Sequence, residues 1–288
     1  MLTINIIGCG KLGKTIGKLL VESQAAVLNG IVNSSLKSAE NAAGYIGSGK
    51  AFAAIDELPS ADIYFITTQD DVVEKIANHL LTTENLKPGA IVVHCSGALC
   101  DVLNKMKEKN CLIASIHPVK SFANPDRAVT TFTGTYCAVE GDDAALAILV
   151  PLFEKIGGKI FSVNKDKKII YHAGNVIANN YLVTLHYQAM QCYLNAGINE
   201  EIAKDLASML MQDAIDHLKF LPHDEALTGP IKRGDAKVIS AHIAALSEIA
   251  SLQNAKDIYL ALGRGTLDFA EREDLGDVFN EELKTKSF

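Results

Sequence analysis

Leu2-Thr3-Ile4-Asn5-Ile6-Ile7 runs without a break into Gly8-Cys9-Gly10-Lys11-Leu12-Gly13, and that junction decides the fold. The first six residues are almost continuously apolar, as a strand covered on both faces requires. Lys11–Ser23 then reads as a helix. A G-x-G-x-x-G pattern carries weight in this strand-to-helix context and little outside it. Gly8 permits a tight turn, Gly10 lets the backbone approach a pyrophosphate, and Gly13 lets the helix lie close against the strand. The helix start presents unpaired N–H groups and the positive end of its dipole to phosphate oxygens. Gly8, Cys9, Gly10, Lys11, Leu12 and Gly13 are therefore candidate cofactor-binding residues. The competing reading is a glycine-rich turn with no ligand.

Outward from that turn, short apolar runs alternate with helical stretches. Leu2–Ile7, Ala26–Asn33, Ile63–Thr67, Ala90–Cys95 and Leu112–Ile116 read as strands; Lys11–Ser23, Asp71–Leu81 and Asp101–Lys109 read as helices. This alternation predicts an α/β fold with a doubly wound, Rossmann-type parallel sheet. Thr135–Val139 and Lys159–Val163, flanking a helix at Asp142–Ile156, would extend that sheet. After Asn164 no strand signal recurs, and Asp166–Leu194, Glu200–Leu221, Asp235–Ser251 and Ala255–Leu262 suit helices. A dinucleotide-binding domain over 1–164 followed by a smaller all-α domain over 165–288 is the expected organisation. The charge-rich Glu271–Phe288 reads either as a terminal amphipathic helix or as a frayed tail.

At 288 residues, 48% hydrophobic and 21% charged, the composition is that of an ordinary globular chain of this size. A net charge of −7 without a basic run argues against general nucleic-acid or anionic-membrane binding. No apolar stretch approaches the ~18–20 residues that span a bilayer, and the N-terminus lacks the cationic lead of a secretory signal. The cysteines (Cys9, Cys95, Cys100, Cys111, Cys137, Cys192) form no C-x-x-C pair and sit mostly in apolar runs. That pattern predicts a reduced, cytoplasmic setting and no metal site.

The strand at Ala26–Asn33 leads into Ser34-Ser35-Leu36-Lys37. An NAD site commonly places Asp or Glu here to hold the ribose 2′-hydroxyl, and none occurs before Glu40. Asn33, Ser34 and Ser35 can donate hydrogen bonds and Lys37 supplies positive charge, which predicts NADP(H); the alternative is a solvated polar loop. Thr67, Thr68 and Gln69, at the end of the Ile63–Thr67 strand, face the same crevice and complete the candidate cofactor set, while Asp70 or Asp71 reads as a helix cap.

Two further strand ends on this edge carry polar residues: His94-Cys95-Ser96-Gly97-Ala98 and His117-Pro118-Val119-Lys120-Ser121. Ser96 and Gly97 are candidate substrate ligands. His117 is either a catalytic proton donor titrating near neutrality or a turn former ahead of Pro118, and His94 reads as a satisfied strand histidine. Lys168, His172, Asn175 and Asn179 are spaced i, i+4, i+7 and i+11, which places them in a stripe roughly 60° wide at ~100° per residue. They are either a substrate-binding row, with Lys168 or His172 catalytic and the asparagines orienting a carboxylate, or the solvent face of an amphipathic helix. Leu227-Thr228-Gly229-Pro230-Ile231-Lys232-Arg233-Gly234-Asp235 reads as a connector with Asp235 capping the next helix; Thr228, Lys232 and Arg233 are its candidate ligand contacts.

Together, the GCGKLG turn, the HCSGAL and IHPVKSF strand ends, the YHAGNVIANNYLVTL helix and the ALTGPIKRGD turn resemble a bacterial family. Its members pair a Rossmann-like domain with an all-helical domain of unknown function. The wider clan holds pyrroline-5-carboxylate reductases, prephenate dehydrogenases, ketopantoate reductases and β-hydroxyacid dehydrogenases. The resemblance spans both domains and implies NADPH-dependent reduction of a small anionic 2-oxo acid: ketopantoate to pantoate, in pantothenate synthesis. An imine reductase or a prephenate-type dehydrogenase are alternatives within the clan, and fold alone leaves open a non-catalytic NADP sensor. The resemblance also implies two competing site assignments. In ketopantoate reductases a helix lysine and nearby asparagines sit near substrate, and Lys168, Asn175 and Asn179 are similar in placement. In prephenate dehydrogenases a histidine before proline and a serine on the neighbouring strand end contact substrate, as His117-Pro118 and Ser96 would. Asp235 is the candidate for the acidic residue of ketopantoate reductases. A homodimer through the helical domain is implied as well.

Overall fold

The computed structural model describes residues 1–285. From the N-terminus come β1 (Thr3–Ile7), α1 (Lys11–Glu22), β2 (Val27–Val32), α2 (Leu36–Ile46), β3 (Lys50–Phe52), β4 (Ile63–Ile66), α3 (Asp70–Thr82), β5 (Ile91–His94), β6 (Leu112–Pro118), α4 (Pro125–Thr130), β7 (Tyr136–Gly141), α5 (Asp143–Lys155) and β8 (Lys159–Ser162). The strands form one sheet in the order β3-β2-β1-β4-β5-β6-β7-β8. Strands β1 to β6 run parallel, as the alternation predicts. The last two do not: β7 is antiparallel to β6, and β8 is parallel to β7. A parallel continuation needs a crossover over the sheet face. The β6–β7 connection instead holds only the six-residue α4, which packs on α1, and the chain turns back at the same edge.

The apolar strands are buried on both sides. Ile63 and Phe65 join one core layer with Ile16 and Leu20 of α1 and Leu149 and Phe153 of α5. Tyr64 and Ile66 join the opposite layer with Val73, Ala77 and Leu80 of α3. Every residue of β4 and β5 is buried, so their strand ends are held rigidly.

Some elements differ from expectation. The loop expected through Lys37 ends at Ser35, which starts α2 by accepting the Ser38 N–H; α2 and the three-residue β3 then occupy the stretch before β4. The helix expected at Asp101–Lys109 is a 3₁₀ segment over Asn104–Lys109 only. Asp101 has a positive φ of 56° and its carboxylate takes the Asn104 side chain, which ends regular winding there.

The chain divides into two compact units, Met1–Ile177 and Ala178 onward, rather than at residue 164. Helix α6 (Lys168–Asn175) belongs to the first. Val176–Asn180 winds as a π-helix, so the single helix expected over Asp166–Leu194 is interrupted. The second unit contains α7 (Tyr181–Asn195), α8 (Glu200–Leu218), α9 (His223–Ala226), α10 (Pro230–Arg233), α11 (Ala236–Glu248), α12 (Gln253–Ala270) and α13 (Gly276–Thr285), with no strand among its described residues. Ile239, Leu260, Leu275 and Phe279 centre its small core. Of the charge-rich terminus, α13 is described and residues 286–288 lie outside the described residues. No helix of the described residues is long and apolar enough to cross a membrane.

Candidate functional site

The turn after β1 takes its shape from its glycines, and the groups it offers to a ligand are backbone amides. Gly8 has φ +84°, donates its N–H to Val32 O at 2.8 Å, and a Cβ on it would come within 2.9 Å of the Thr68 nitrogen. A Cβ on Gly13 would fall 2.5 Å from Thr67 Oγ1 and 3.3 Å from Ile6, so only glycine lets α1 lie this close to the sheet. Gly10 is different. A Cβ there would meet only the Gly8 carbonyl, at 3.9 Å, with open space beyond it. Gly10 is also the N-cap of α1, and no side chain caps the first turn. The result is an exposed cradle of helix-start amides with room for a phosphate. Thr68 Oγ1, at the rim, is buried without a hydrogen-bond partner. These features fit a dinucleotide diphosphate.

Around the cradle the expected cofactor residues divide. Thr67 donates its hydroxyl to Gly8 O at 3.0 Å and so braces the turn. Asn33 does the same from the other side: its Oδ1 accepts the Cys9 N–H at 2.6 Å. Its carboxamide is thus engaged with the turn instead of lying free for a 2′-phosphate. Cys9 is buried, and burial pushes its thiol up to about 12, so it is an inert packing residue. Lys11, Ser34, Ser35, Lys37 and Gln69 are exposed, Leu12 and Thr68 partly so. Among the residues following β2, the free side-chain donors are the hydroxyls of Ser34 and Ser35, the latter only accepting from Ser38 N–H, and the Lys37 ammonium. Neither Asp70 nor Asp71 caps α3, whose N-cap is Gln69.

Ser96, at the end of β5, has a fully committed hydroxyl. It donates to Asp70 Oδ2 at 2.8 Å and accepts the N–H groups of Ala98 and Leu99 at 3.0 and 3.1 Å. A hydroxyl has one proton and two lone pairs, so Ser96 builds the turn and has nothing left for a substrate. His94 is 3% exposed and accepts the Ser96 N–H at Nδ1. Burial, then the nearby Lys168 charge, pushes it down to about 3, so it is a neutral strand histidine.

Lys168 does not lie on the solvent face of an amphipathic helix. It is 2% exposed, and Nζ donates to Leu99 O at 2.7 Å, Ser115 Oγ at 2.9 Å and Glu140 Oε1 at 2.7 Å. All three ammonium protons are used. Lys168 is a buried latch between α6 and the sheet and not a residue of a solvent stripe. Its partner Glu140 carries little sequence signal beyond being a lone carboxylate that closes the apolar run Cys137-Ala138-Val139.

One turn along α6, the latch brings three rings together. His117 Nδ1 lies 2.8 Å from Tyr171 Oη, with the rings edge-on. His117 and His172 ring centroids are 6.3 Å apart. Gly97 seats the imidazole, since a Cβ there would fall 2.7 Å from its Cε1. Burial, then His172 and Lys168, pushes His117 down to about 4 against a weaker opposite pull from Asp70. Burial pushes the Tyr171 phenol up. Asn175 Nδ2 is buried and makes no hydrogen bond of good geometry, but its carboxamide lies against the Tyr171 hydroxyl and pulls the phenol down against the effect of burial. Gly97, His117, His172 and Asn175 thus gather in the first unit around Tyr171. Sequence reasoning missed Tyr171 because the residues that meet it are distant in the chain.

The remaining expected residues lie in the second unit. Asn179 is exposed inside the π-turn, where the constant ~100° step behind the stripe does not hold. Thr228 is exposed beside Gly229, whose φ is +92°. Asp235 is the N-cap residue of α11 as expected, but its side chain makes no capping bond: its carboxylate takes Arg233 Nε at 2.8 Å.

Residues 1–118 match a Rossmann-like domain, and residues 135–266 match a domain of unknown function (DUF2520). No curated protein matches the sequence. Protein TM1727 from Thermotoga maritima is 30% identical over 94% of this chain and 99% of that one, with a TM-score of 0.72. A pyrroline carboxylate reductase from Plasmodium falciparum, solved with NADP bound, shares the fold at 14% identity and a TM-score of 0.57 over 92% and 98% of the two chains. A prephenate dehydrogenase from Aquifex aeolicus does so at 15% identity and a TM-score of 0.52 over 76% and 91%. A Rossmann-type sheet with its glycine cradle, followed by a helical unit, and the likeness to the Thermotoga protein over nearly all of both chains, lead to one conclusion: this chain belongs to the family that joins a Rossmann-like domain to DUF2520.

Proposed function

We propose that the protein is an NADP(H)-dependent oxidoreductase that reduces a small 2-oxo acid, ketopantoate to pantoate. The observation that carries the reading is the cradle at Gly10: uncapped helix-start amides and open space where a side chain would otherwise stand. The absence of a carboxylate from Asn33 to Ala39 in the sequence leaves Ser34, Ser35 and Lys37 to meet a 2′-phosphate and favours NADP(H) over NAD(H). The likeness to an NADP-bound reductase of the same fold points the same way.

NADPH, when bound, supplies the hydride. The chain's part is to hold the diphosphate on the Gly8–Gly13 turn, orient the acid, and deliver a proton to its carbonyl oxygen. Asn175 brings a buried N–H beside the Tyr171 hydroxyl to meet a carboxylate, and His172 stands next to His117 as a further donor. The commitment of Ser96 to Asp70 removes half of the His–Ser pair that a prephenate-type reading uses. The test is calorimetric titration with NADPH and NADH, followed by reduced-nicotinamide absorbance with ketopantoate, pyrroline-5-carboxylate and prephenate/NADP. Tight NADPH binding with turnover of ketopantoate supports the reading; turnover of another panel member alone replaces the substrate.

The helical unit also favours a homodimer. Helix α7 has no buried residue, and Tyr181, Val183 and Tyr187 are 55%, 69% and 57% exposed. Exposed apolar helices of this kind are covered in an assembly. Sedimentation equilibrium measures the mass directly.

A further inference from the structure

With Lys168 spent on the latch, the neutral His117 cannot hold a spare proton as an imidazolium at neutral pH. We propose that Tyr171 is the catalytic acid, giving its phenolic proton to the substrate oxygen, and that His117 positions the phenol and restores that proton. The proposal rests on the 2-oxo acid reading above and names the group that completes it.

The geometry carries it. His117 ends β6 at the sheet edge where ligands of open α/β sheets bind. Tyr171 reaches the same point from α6, its hydroxyl 2.8 Å from Nδ1. Both rings are fixed. The imidazole is seated on Gly97 with no room for a Cβ between them. The phenol packs edge-on against Phe161, centroids 6.1 Å apart. Three residues before it, Lys168 pins the helix with three hydrogen bonds. The charged and titratable groups facing the pair are His172 and Lys168 on α6, Asp70 at the start of α3 and the Cys137 thiol on β7; the phenol hydroxyl also meets the Asn175 carboxamide, and His117 is the titratable group within hydrogen-bond distance of it. Burial keeps the phenol neutral, which suits a donor.

Atoms and electrons balance in the step. The carbonyl carbon takes the hydride with its electron pair, the C=O π pair moves onto oxygen, and that oxygen takes the Tyr171 proton. The phenolate takes the Nδ1 proton of His117, and water protonates Nε2 as that proton leaves. The imidazole then carries its proton on Nε2; before the next turnover Nε2 returns that proton to water as Tyr171 protonates Nδ1, and water reprotonates the phenolate, so the pair is restored, one proton is consumed from solvent per turnover and the imidazole is never doubly protonated. The resting tautomer must therefore be Nδ1–H, donating to Tyr171 Oη.

Two measurements test this. In the ligand-free protein, ¹⁵N NMR of His117 should show the Nδ1–H tautomer, lost or altered in Tyr171→Phe; an Nε2–H resting tautomer overturns the relay whether or not the substrate is right. In turnover, Tyr171→Phe should lower kcat by roughly 10²–10⁴-fold with NADPH affinity unchanged. His117→Asn, whose amide can replace the Nδ1–H donor, should keep more activity than His117→Ala. Equal loss in the two His117 variants, or wild-type kcat in Tyr171→Phe, overturns the proposal. A wild-type protein that binds NADPH yet reduces no 2-oxo acid overturns the functional reading, and the tautomer then separates that failure from a failure of the pair.

Discussion

The strand end after β1 and the strand ends after β5 and β6 solve different problems with different material. The first uses missing side chains: Gly8, Gly10 and Gly13 make space, and the groups offered to a ligand are backbone amides. The second uses side chains held by other side chains: Gly97 seats His117, His117 meets Tyr171, and Lys168 with Glu140 holds the helix that carries Tyr171. A backbone site is written in consecutive residues and survives most changes elsewhere. A side-chain site depends on positions spread over the chain, and perturbing its support should cost stability before it costs chemistry.

The largest effect should come from breaking that support. Glu140→Ala leaves the Lys168 ammonium buried without its counter-charge and should destabilise the protein by about 3–5 kcal/mol in urea unfolding; the double variant Glu140→Leu/Lys168→Met should lose much less. Acid should act next. His94 and His117 are held below the ordinary histidine range, at about 3 and about 4. The unfolded chain therefore binds more protons than the folded one between those values and about 6.5, and stability rises with pH across that window. Acidification from pH 7 toward 4 should remove on the order of a few kcal/mol, and His94→Gln should flatten the dependence. At the other strand end, Gly10→Asp places a negative charge in the open cradle without a clash. It should weaken NADPH binding by about a hundredfold or more and leave the melting temperature unchanged or raised, since Asp is a good N-cap. The smallest of the four, Gly97→Ala, pushes on the imidazole from 2.7 Å. It should lower kcat by roughly 10–100-fold with NADPH affinity intact. If Gly10→Asp unfolded the protein while Glu140→Ala did not, the contrast between the two strand ends would be reversed.

The same contrast explains what could be read from the sequence. The β1–α1 junction is local, so its glycines, its strand and its helix were legible together. The parallel strands through β6, apart from the short and partly exposed β3, were legible because two-sided burial writes itself as unbroken apolar runs such as Ile63–Ile66. Strand direction was not: apolar runs at Tyr136–Gly141 and Lys159–Ser162 look the same either way, and only the missing crossover after β6 reverses them. The helix stripe misled for a related reason. Spacing placed Lys168 with His172 and Asn175, but the environment facing Lys168 is a carboxylate on β7, a hydroxyl on β6 and a carbonyl after β5, which no period along α6 can report. Asn33 and Ser96 had the polarity of ligands and use it on backbone next to them, a role that polar residue type alone does not distinguish from recognition.

The turned-back pair of outer strands has a further consequence for how the chain is routed. Because β7 and β8 point opposite to β1–β6, the polypeptide leaves β8 at the far rim of the sheet, away from the glycine cradle. The next segment must climb back across the sheet surface, and α6 does so: Lys168 is fastened level with Ser115, and Tyr171, one turn higher, arrives level with His117. Had those strands continued in the common direction, the chain would have emerged beside the cradle with no length of sheet left to be fastened to. The reversal gives the incoming helix a foothold below and a destination above, like a ladder leaned from the ground against a ledge.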